Sequence, residues 1–168
     1  MIIREIDREE CYRVLARTRL ARLACSHENQ PYIVPVYLTF HHPSGEDPFL
    51  YGFSTLGQKI AWMRANPSVC VEVDEIKSSD DWVSVVVLGR FKELPDAPKE
   101  DPEQIKAWEI LRSQPEWWEP GASAHVAQSQ REPAQAISPV FYRISVEQVT
   151  GHKVFRNAGK DVAGATRT

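Results

Sequence analysis

Six short runs rich in branched and aromatic residues, most of them closed by a turn signal, limit what this chain can fold into. They are Arg19–Cys25, Tyr32–Phe40 (YIVPVYLTF), Phe49–Phe53, Val69–Val73, Trp82–Leu88 (WVSVVVL) and Val140–Val149. Runs of this length and composition read as strands. Only two or three short helical patterns interrupt them, and strand and helix do not alternate as parallel sheets require. Strands this short cannot bury themselves in one flat sheet. The pattern therefore predicts a mostly β fold with flanking helices, closed as a small antiparallel barrel.

Local signals set the boundaries. Asp7 and Glu10 have the spacing of a capping box, and Cys11, Val14 and Leu15 then share a helical face. His27–Gln30 is a polar turn, so the first two strands read as a hairpin. Pro35 interrupts the second strand; lacking an N–H, it belongs at a sheet edge or a bulge. Ser54–Asn66 reads as a helix capped by Ser54 or Thr55, with Leu56, Ile60 and Met63 on one face and Pro67 forcing the stop. Glu75–Asp81 reads as a charged loop, and Gly89 as a kink in the strand that follows. Asp101 opens another helix.

The 168 residues suit one domain, expected over residues 1–155. Residues 113–139 form an irregular loop rich in tryptophan and proline, with Trp117 and Trp118 at its centre. It is expected to cover a ligand or a subunit seam, or to pack on its own barrel. Apolar anchors vanish over residues 156–168, which read as a disordered tail. Twenty Lys and Arg stand against 23 Asp and Glu. That near-balance gives no basic footprint for nucleic acid or anionic lipid. Charges follow Met1 at once and no apolar run reaches the length of a membrane span, so a cytoplasmic chain is expected. Cys11, Cys25 and Cys70 form no CxxC pair and read as free thiols.

No GxGxxG, GxxxxGK[ST] or HExxH occurs. The adjacent His41 and His42 point apart, and no Ser-His-Asp or Cys-His set is singled out. One segment stands out, FLYGFSTLGQKIAWMRANP over residues 49–67. Ser54 and Thr55 bring hydroxyls to a helix start, Gly57 allows close approach, and Lys59 lies in the first turns. Such an arrangement suits a phosphate. Taken alone, it is better described by the commoner arrangement, an ordinary cap with a solvated lysine. Ser84 is a lone hydroxyl in an apolar strand, and Val34-Pro35-Val36-Tyr37 is a kinked strand whose backbone could face a ligand. Each also has a plain structural reading, a backbone-bonded serine and a simple edge strand.

In order, these features resemble the flavin-nucleotide-binding split barrels, the group of pyridoxamine 5'-phosphate oxidase and the nitroimidazole-resistance flavoproteins. The likeness runs from about Ile6 to Asp96 through PYIVPVYLTF, LYGFSTLGQKIAWMRANPSVCVEV and WVSVVVLGRFKELPD, and more weakly over Pro139–Gly151. It implies an FMN-binding split β-barrel of antiparallel, Greek-key type. It implies FMN at the interface of a homodimer. Val34, Pro35, Val36 and Tyr37 would lie along the isoalloxazine ring, Ser54, Thr55 and Lys59 would hold the phosphate, and Ser84, with Trp82, would meet the ring's polar edge. An apolar slot with cationic or N–H donors at one end is what a flavin nucleotide needs.

Three departures qualify the likeness. The histidine that many nitroimidazole-resistance relatives carry after the third strand is replaced here by Gly52-Phe53-Ser54. The closing GHKVFRNAGKDVAGATRT lacks the Arg-x-His element with which the true oxidases grip a vitamin B6 phosphate, so that oxidation is not expected. A second phosphate cation is not obvious; Arg64 and Arg90 are the candidates. The functional expectation is an FMN-dependent oxidoreductase taking hydride from a transiently bound NAD(P)H, with an unspecified acceptor. The alternative is a flavin- or haem-binding module for sensing, storage or delivery, with His152 as the late histidine a haem would require.

Overall fold

Asp7 turns the chain from a first strand into a first helix. The computed structural model, which describes residues 1–94, 102–112 and 139–156, gives β1 (Ile2–Glu5), α1 (Arg8–Arg17), β2 (Leu20–His27) and β3 (Gln30–His41), then β4 (Phe49–Thr55), α2 (Gln58–Ala65), β5 (Ser68–Ser78), β6 (Asp81–Glu93), α3 (Pro102–Arg112) and β7 (Pro139–Phe155). The Asp7 carboxylate accepts from the Glu10 backbone N–H at 2.7 Å, the expected cap. Cys11, Val14 and Leu15 are the buried face of α1. The loop over residues 113–138 with Trp117 and Trp118, the proline-rich 95–101 and the tail from 157 lie outside the described residues.

All strand pairings are antiparallel, in the order β1-β7-β4-β3-β2-β5-β6, and β6 closes back on β7. The result is a six-stranded barrel with β1 added outside β7. β2, β3 and β4 follow one another as a meander, and β5 returns through α2 to lie beside β2. That is a Greek key, and the split barrel expected of the sequence is the fold observed. Val71, Val85, Val87, Leu23 and Ile144 fill the interior, each fully buried. α1 packs on β3 and β7, and α2 on β2.

Two details follow from single residues. The β2–β3 hairpin closes through Glu28 (φ 49°) and Asn29 (φ 63°), two left-handed residues in succession, as a tight hairpin turn needs. Gly89 sits where the β6–β7 register slips, and a Cβ there would strike the Ser145 carbonyl oxygen. The expected kink is therefore a β-bulge.

Three expectations are corrected. Ser54 and Thr55 are strand residues, paired with Val140 and Pro139 of β7, and α2 starts only at Gln58. Leu56 lies outside that helix and is exposed, while Ile60 and Met63 are buried as expected. Most of the charged segment over residues 75–81 is strand: β5 and β6 continue to a turn at Ser79-Asp80, where pairing with each other satisfies their backbones. β1 was not expected, and its four residues are held by Phe155, Val154, Lys153 and His152 of β7.

Candidate site at the split between β3 and β4

The barrel opens on one side, and the register shows where. β3 and β4 pair from His41↔Phe49 to Leu38↔Gly52 and no further. Beyond that point Tyr37, Val36 and Pro35 stay with β2, while Phe53, Ser54 and Thr55 stay with β7. Pro35 contributes no N–H, so its place on this one-sided stretch costs no ladder bond. At the last pair Gly52 is required: a Cβ would overlap the Tyr142 ring packed beneath it. The two strands thus diverge from a fixed hinge, and two of the sequence-predicted groups face each other across the divergence.

On the β3 side, Val34 and Val36 pair with Leu23 and Ala21 and are half-buried, while Pro35 and Tyr37 are exposed on the other face. On the β4 side, Ser54 is buried and its hydroxyl donates to the Thr55 carbonyl at 3.0 Å, so it does not cap the helix. Gly57 occupies the cap position in extended backbone and supplies no side-chain bond. The first N–H groups of α2 therefore lack a side-chain acceptor, and its first turn holds no acidic residue. Lys59 lies in that turn. It is half-buried, and burial pushes its ammonium below the usual 10.5 while the nearby Cys25 thiol opposes the shift. It forms no ion pair with any carboxylate among the described residues. An uncapped helix start and an ammonium without a carboxylate partner are groups of the kind an anion such as a phosphate can use.

The candidate second cations are engaged elsewhere. Arg64 holds Glu93 through two bonds of 2.7 Å, and Arg90 pairs with Glu147 at 3.3 Å. Trp82 and Ser84 are half-buried on β6 and are not brought to the split. The register row from Pro35 passes through Arg22 and Glu72 to Val86, three strand spacings or about 14 Å across the outer face, and Ser84 lies two residues beyond.

Ser84 stands in register between Asp74 and His152. The order is wrong for nucleophilic catalysis, which needs the imidazole between hydroxyl and carboxylate. Asp74 is bound to Arg22 instead. Among the described residues no group of three His, Cys, Asp or Glu is placed to hold a metal ion. None of the described helices is long and apolar enough to cross a membrane.

Sequence reasoning missed one concavity. A cavity of about 220 Å³ lies between α3 and the β4–β7 pair, lined by His41, Phe49, Tyr51, Glu103, Lys106 and Arg143. Its strongest charges answer each other: the Arg143 guanidinium pairs with Glu103 and stacks on Phe49 at 4.4 Å. It is smaller than usual ligand pockets and far in sequence from the phosphate-like groups. No local motif could have revealed it, since its walls come from positions about a hundred residues apart.

Comparison with known proteins agrees with the fold. The sequence profile described as pyridoxamine 5'-phosphate oxidase matches residues 7–153. An uncharacterised protein of Rhizobium meliloti (strain 1021) is 44% identical over 151 residues, covering 90% of this chain and 95% of its own. The crystal structure of a FAD-binding protein from Mesorhizobium loti is similar at a TM-score of 0.70 and 38% identity, covering 93% of this chain and 99% of that one. A FAD-binding protein from Mycobacterium smegmatis shares the fold at a TM-score of 0.62 and 16% identity, over 92% of this chain and 100% of that one.

Proposed function

Because the chain belongs to the pyridoxamine 5'-phosphate oxidase family, of flavin-binding split-barrel type, we propose that the split between β3 and β4 binds a flavin nucleotide. The observation that carries the proposal is the uncapped start of α2 with the half-buried Lys59, just after the end of β4 that runs on beyond its pairing with β3. The isoalloxazine ring lies along Val34–Tyr37, where one edge of β3 has backbone to offer. The phosphate rests on α2 near Thr55 and Lys59, with FMN the smallest ligand that uses both ends. The 38% identical FAD-binding protein of Mesorhizobium loti supports a flavin in this fold.

Trp82 and Ser84 fit the same ligand only from a second copy of the chain. Leu20, Ile33, Tyr37, Ile76 and Leu88 stand exposed on β2, β3, β5 and β6. An apolar surface of that extent favours burial against a partner. We therefore take the flavin to be shared by a homodimer, the β6 residues of one copy meeting the β3 edge of the other.

A bound flavin supplies hydride chemistry, and the chain supplies binding and orientation. The reading is an FMN-dependent oxidoreductase with a reduced nicotinamide as donor. None of the groups gathered at the split is a general acid, so the residues named here hold the ligand rather than move protons.

The test is titration by flavin fluorescence quenching. Lys59→Ala should weaken FMN about ten- to a hundred-fold, the size of one charge-assisted bond of about 1.5–3 kcal/mol. Riboflavin, which lacks the phosphate, should be held almost as before. Equal losses for both ligands would mean that Lys59 acts through folding, and no binding of either would end the flavin reading. For the wild-type protein loaded with FMN, bleaching of the flavin absorbance within seconds of mixing with NADPH supports the donor; a spectrum unchanged after minutes removes it.

A further inference from the structure

The hollow beneath α3 carries groups that the split does not use. β3, β4 and β7 run side by side there, with Thr39, Tyr51 and Arg143 in one register row and His41, Phe49 and Ser145 in the next. α3 packs on β4 and leaves the cavity of about 220 Å³ between itself and the sheet. Pro43, Phe49, Tyr51 and Pro102 give that cavity apolar walls. Among the described residues three buried side-chain polar atoms lack a hydrogen-bond partner: the hydroxyls of Thr39 and Tyr142, and Nε2 of His41. Of these three residues only His41 lines the cavity. Its ring stands 6.0 Å from that of Tyr51.

The charges around the cavity leave little for a charged ligand. Arg143 pairs with Glu103, lies 4.4 Å from the centre of the Phe49 ring and bonds the Tyr51 hydroxyl. Lys92 approaches Glu103 at 3.9 Å. The other two ionic residues of the lining, Lys106 and Glu46, are exposed and opposite in sign. An ion entering here would give up water and meet charges of both signs. His41 is biased to its neutral form: burial, and then Lys106, push its imidazole below the usual 6.5 against the pull of Glu46. A neutral imidazole has one donor and one acceptor nitrogen, and leaving either unpaired out of water is a cost that a bound polar group removes.

We infer that the cavity under α3 is a binding site for a small uncharged aromatic hydroxyl compound, a single ring of the phenol class, with its hydroxyl on His41 Nε2 and its ring against Phe49, Tyr51 and the two prolines. A cavity of about 150 Å³ suffices for benzene. The larger volume here leaves room for one ring with a polar substituent and none for a nucleotide. A hydroxyl both donates and accepts, so it serves either tautomer of His41. Four strand residues, about 13 Å, separate His41 from Tyr37. The site is therefore distinct from the split, and the inference stands whether or not a flavin binds there.

The experiment titrates the isotope-labelled full chain with phenol, toluene and benzoate, following the His41 ring and the backbone amides of β3, β4 and β7 by NMR. Phenol should give saturable shifts gathered around His41, Phe49, Tyr51 and Arg143. Toluene, with the same ring and no hydroxyl, should bind about five- to a hundred-fold more weakly. Benzoate should also bind more weakly than phenol. His41→Phe, which keeps a ring, should bring phenol down to the toluene value, and Lys106→Gln should leave phenol unchanged. A thermal melt checks that each variant is folded, and the comparison of phenol with toluene on the wild-type chain decides without any variant. Phenol shifts that do not saturate, or that spread over the surface, overturn the site. Equal affinity for phenol and toluene overturns the role of His41. Benzoate binding tighter than phenol, and losing that advantage in Lys106→Gln, overturns the uncharged ligand in favour of an anion.

Discussion

At Lys59 a positive charge is held partly out of water with no carboxylate beside it among the described residues. Its acidity gives a test independent of substitution effects on fold. Burial lowers the ammonium below its usual 10.5, so the unfolded chain binds the proton more tightly than the ligand-free barrel. Between the two values stability therefore rises with pH, and at neutral pH the charged lysine costs stability. A phosphate dianion beside it reverses the shift, since an opposite charge favours the ammonium. Flavin-phosphate affinity is then greatest below the ligand-free value and falls as pH rises through it. FMN titrations between about pH 7 and 10 should show that alkaline loss beginning before an ordinary lysine would titrate, with Lys59→Gln flat over the same range. A loss identical in both proteins would assign it to another group.

At the scale of elements, the start of α2 separates what local signals can tell from what they cannot. Ser54 and Thr55 are good cap residues, and the sequence alone predicts that they cap. The structure instead gives them to β4, where pairing with Val140 and Pro139 holds them in the ladder, and the cap moves to Gly57. Ladder partners some eighty-five residues away override a preference of about 1 kcal/mol. The same distance effect hid β1, four exposed residues whose strand partner is β7, whereas the β2–β3 hairpin, the one-sided position of Pro35 and the irregularity at Gly89 were legible because turn, proline and glycine act locally. The misplaced cap has a consequence that can be measured. Gly57 has open space around it and extended backbone that any residue adopts. Gly57→Asp should cap α2 and raise the stability of flavin-free protein by about 0.5–1 kcal/mol in urea unfolding. It should also place a carboxylate where the proposed site would hold a phosphate, weakening FMN while sparing riboflavin. Weakening of both flavins alike would mean that the helix start does not face the ligand.

The whole molecule combines a well-filled barrel with a wet apolar flank. Leu20, Ile33, Tyr37, Ile76 and Leu88 are all more than a third exposed on strands whose other faces fill the core. In the proposed homodimer a second copy would cover them and bring Trp82 and Ser84 to the split. Light scattering at low micromolar concentration should give about 38 kDa, twice the chain's 19.1 kDa. A value near 19 kDa would leave those two residues without a ligand to meet. The barrel's closure also carries a cost in time. β7, 17 residues long, is the joint partner of β1, β4 and β6, and it is the last of the described strands. Chains are made from the N-terminus at about 5–20 residues each second. Until the ribosome has delivered β7, the edges of β4 and β6 and the whole of β1 wait unpaired, open to any neighbouring strand. The newborn protein is therefore most vulnerable to aggregation in the seconds before β7 emerges, and a truncated message ending before residue 139 would yield a product that holds the residues of the proposed flavin slot but has no β7 to close the barrel around them.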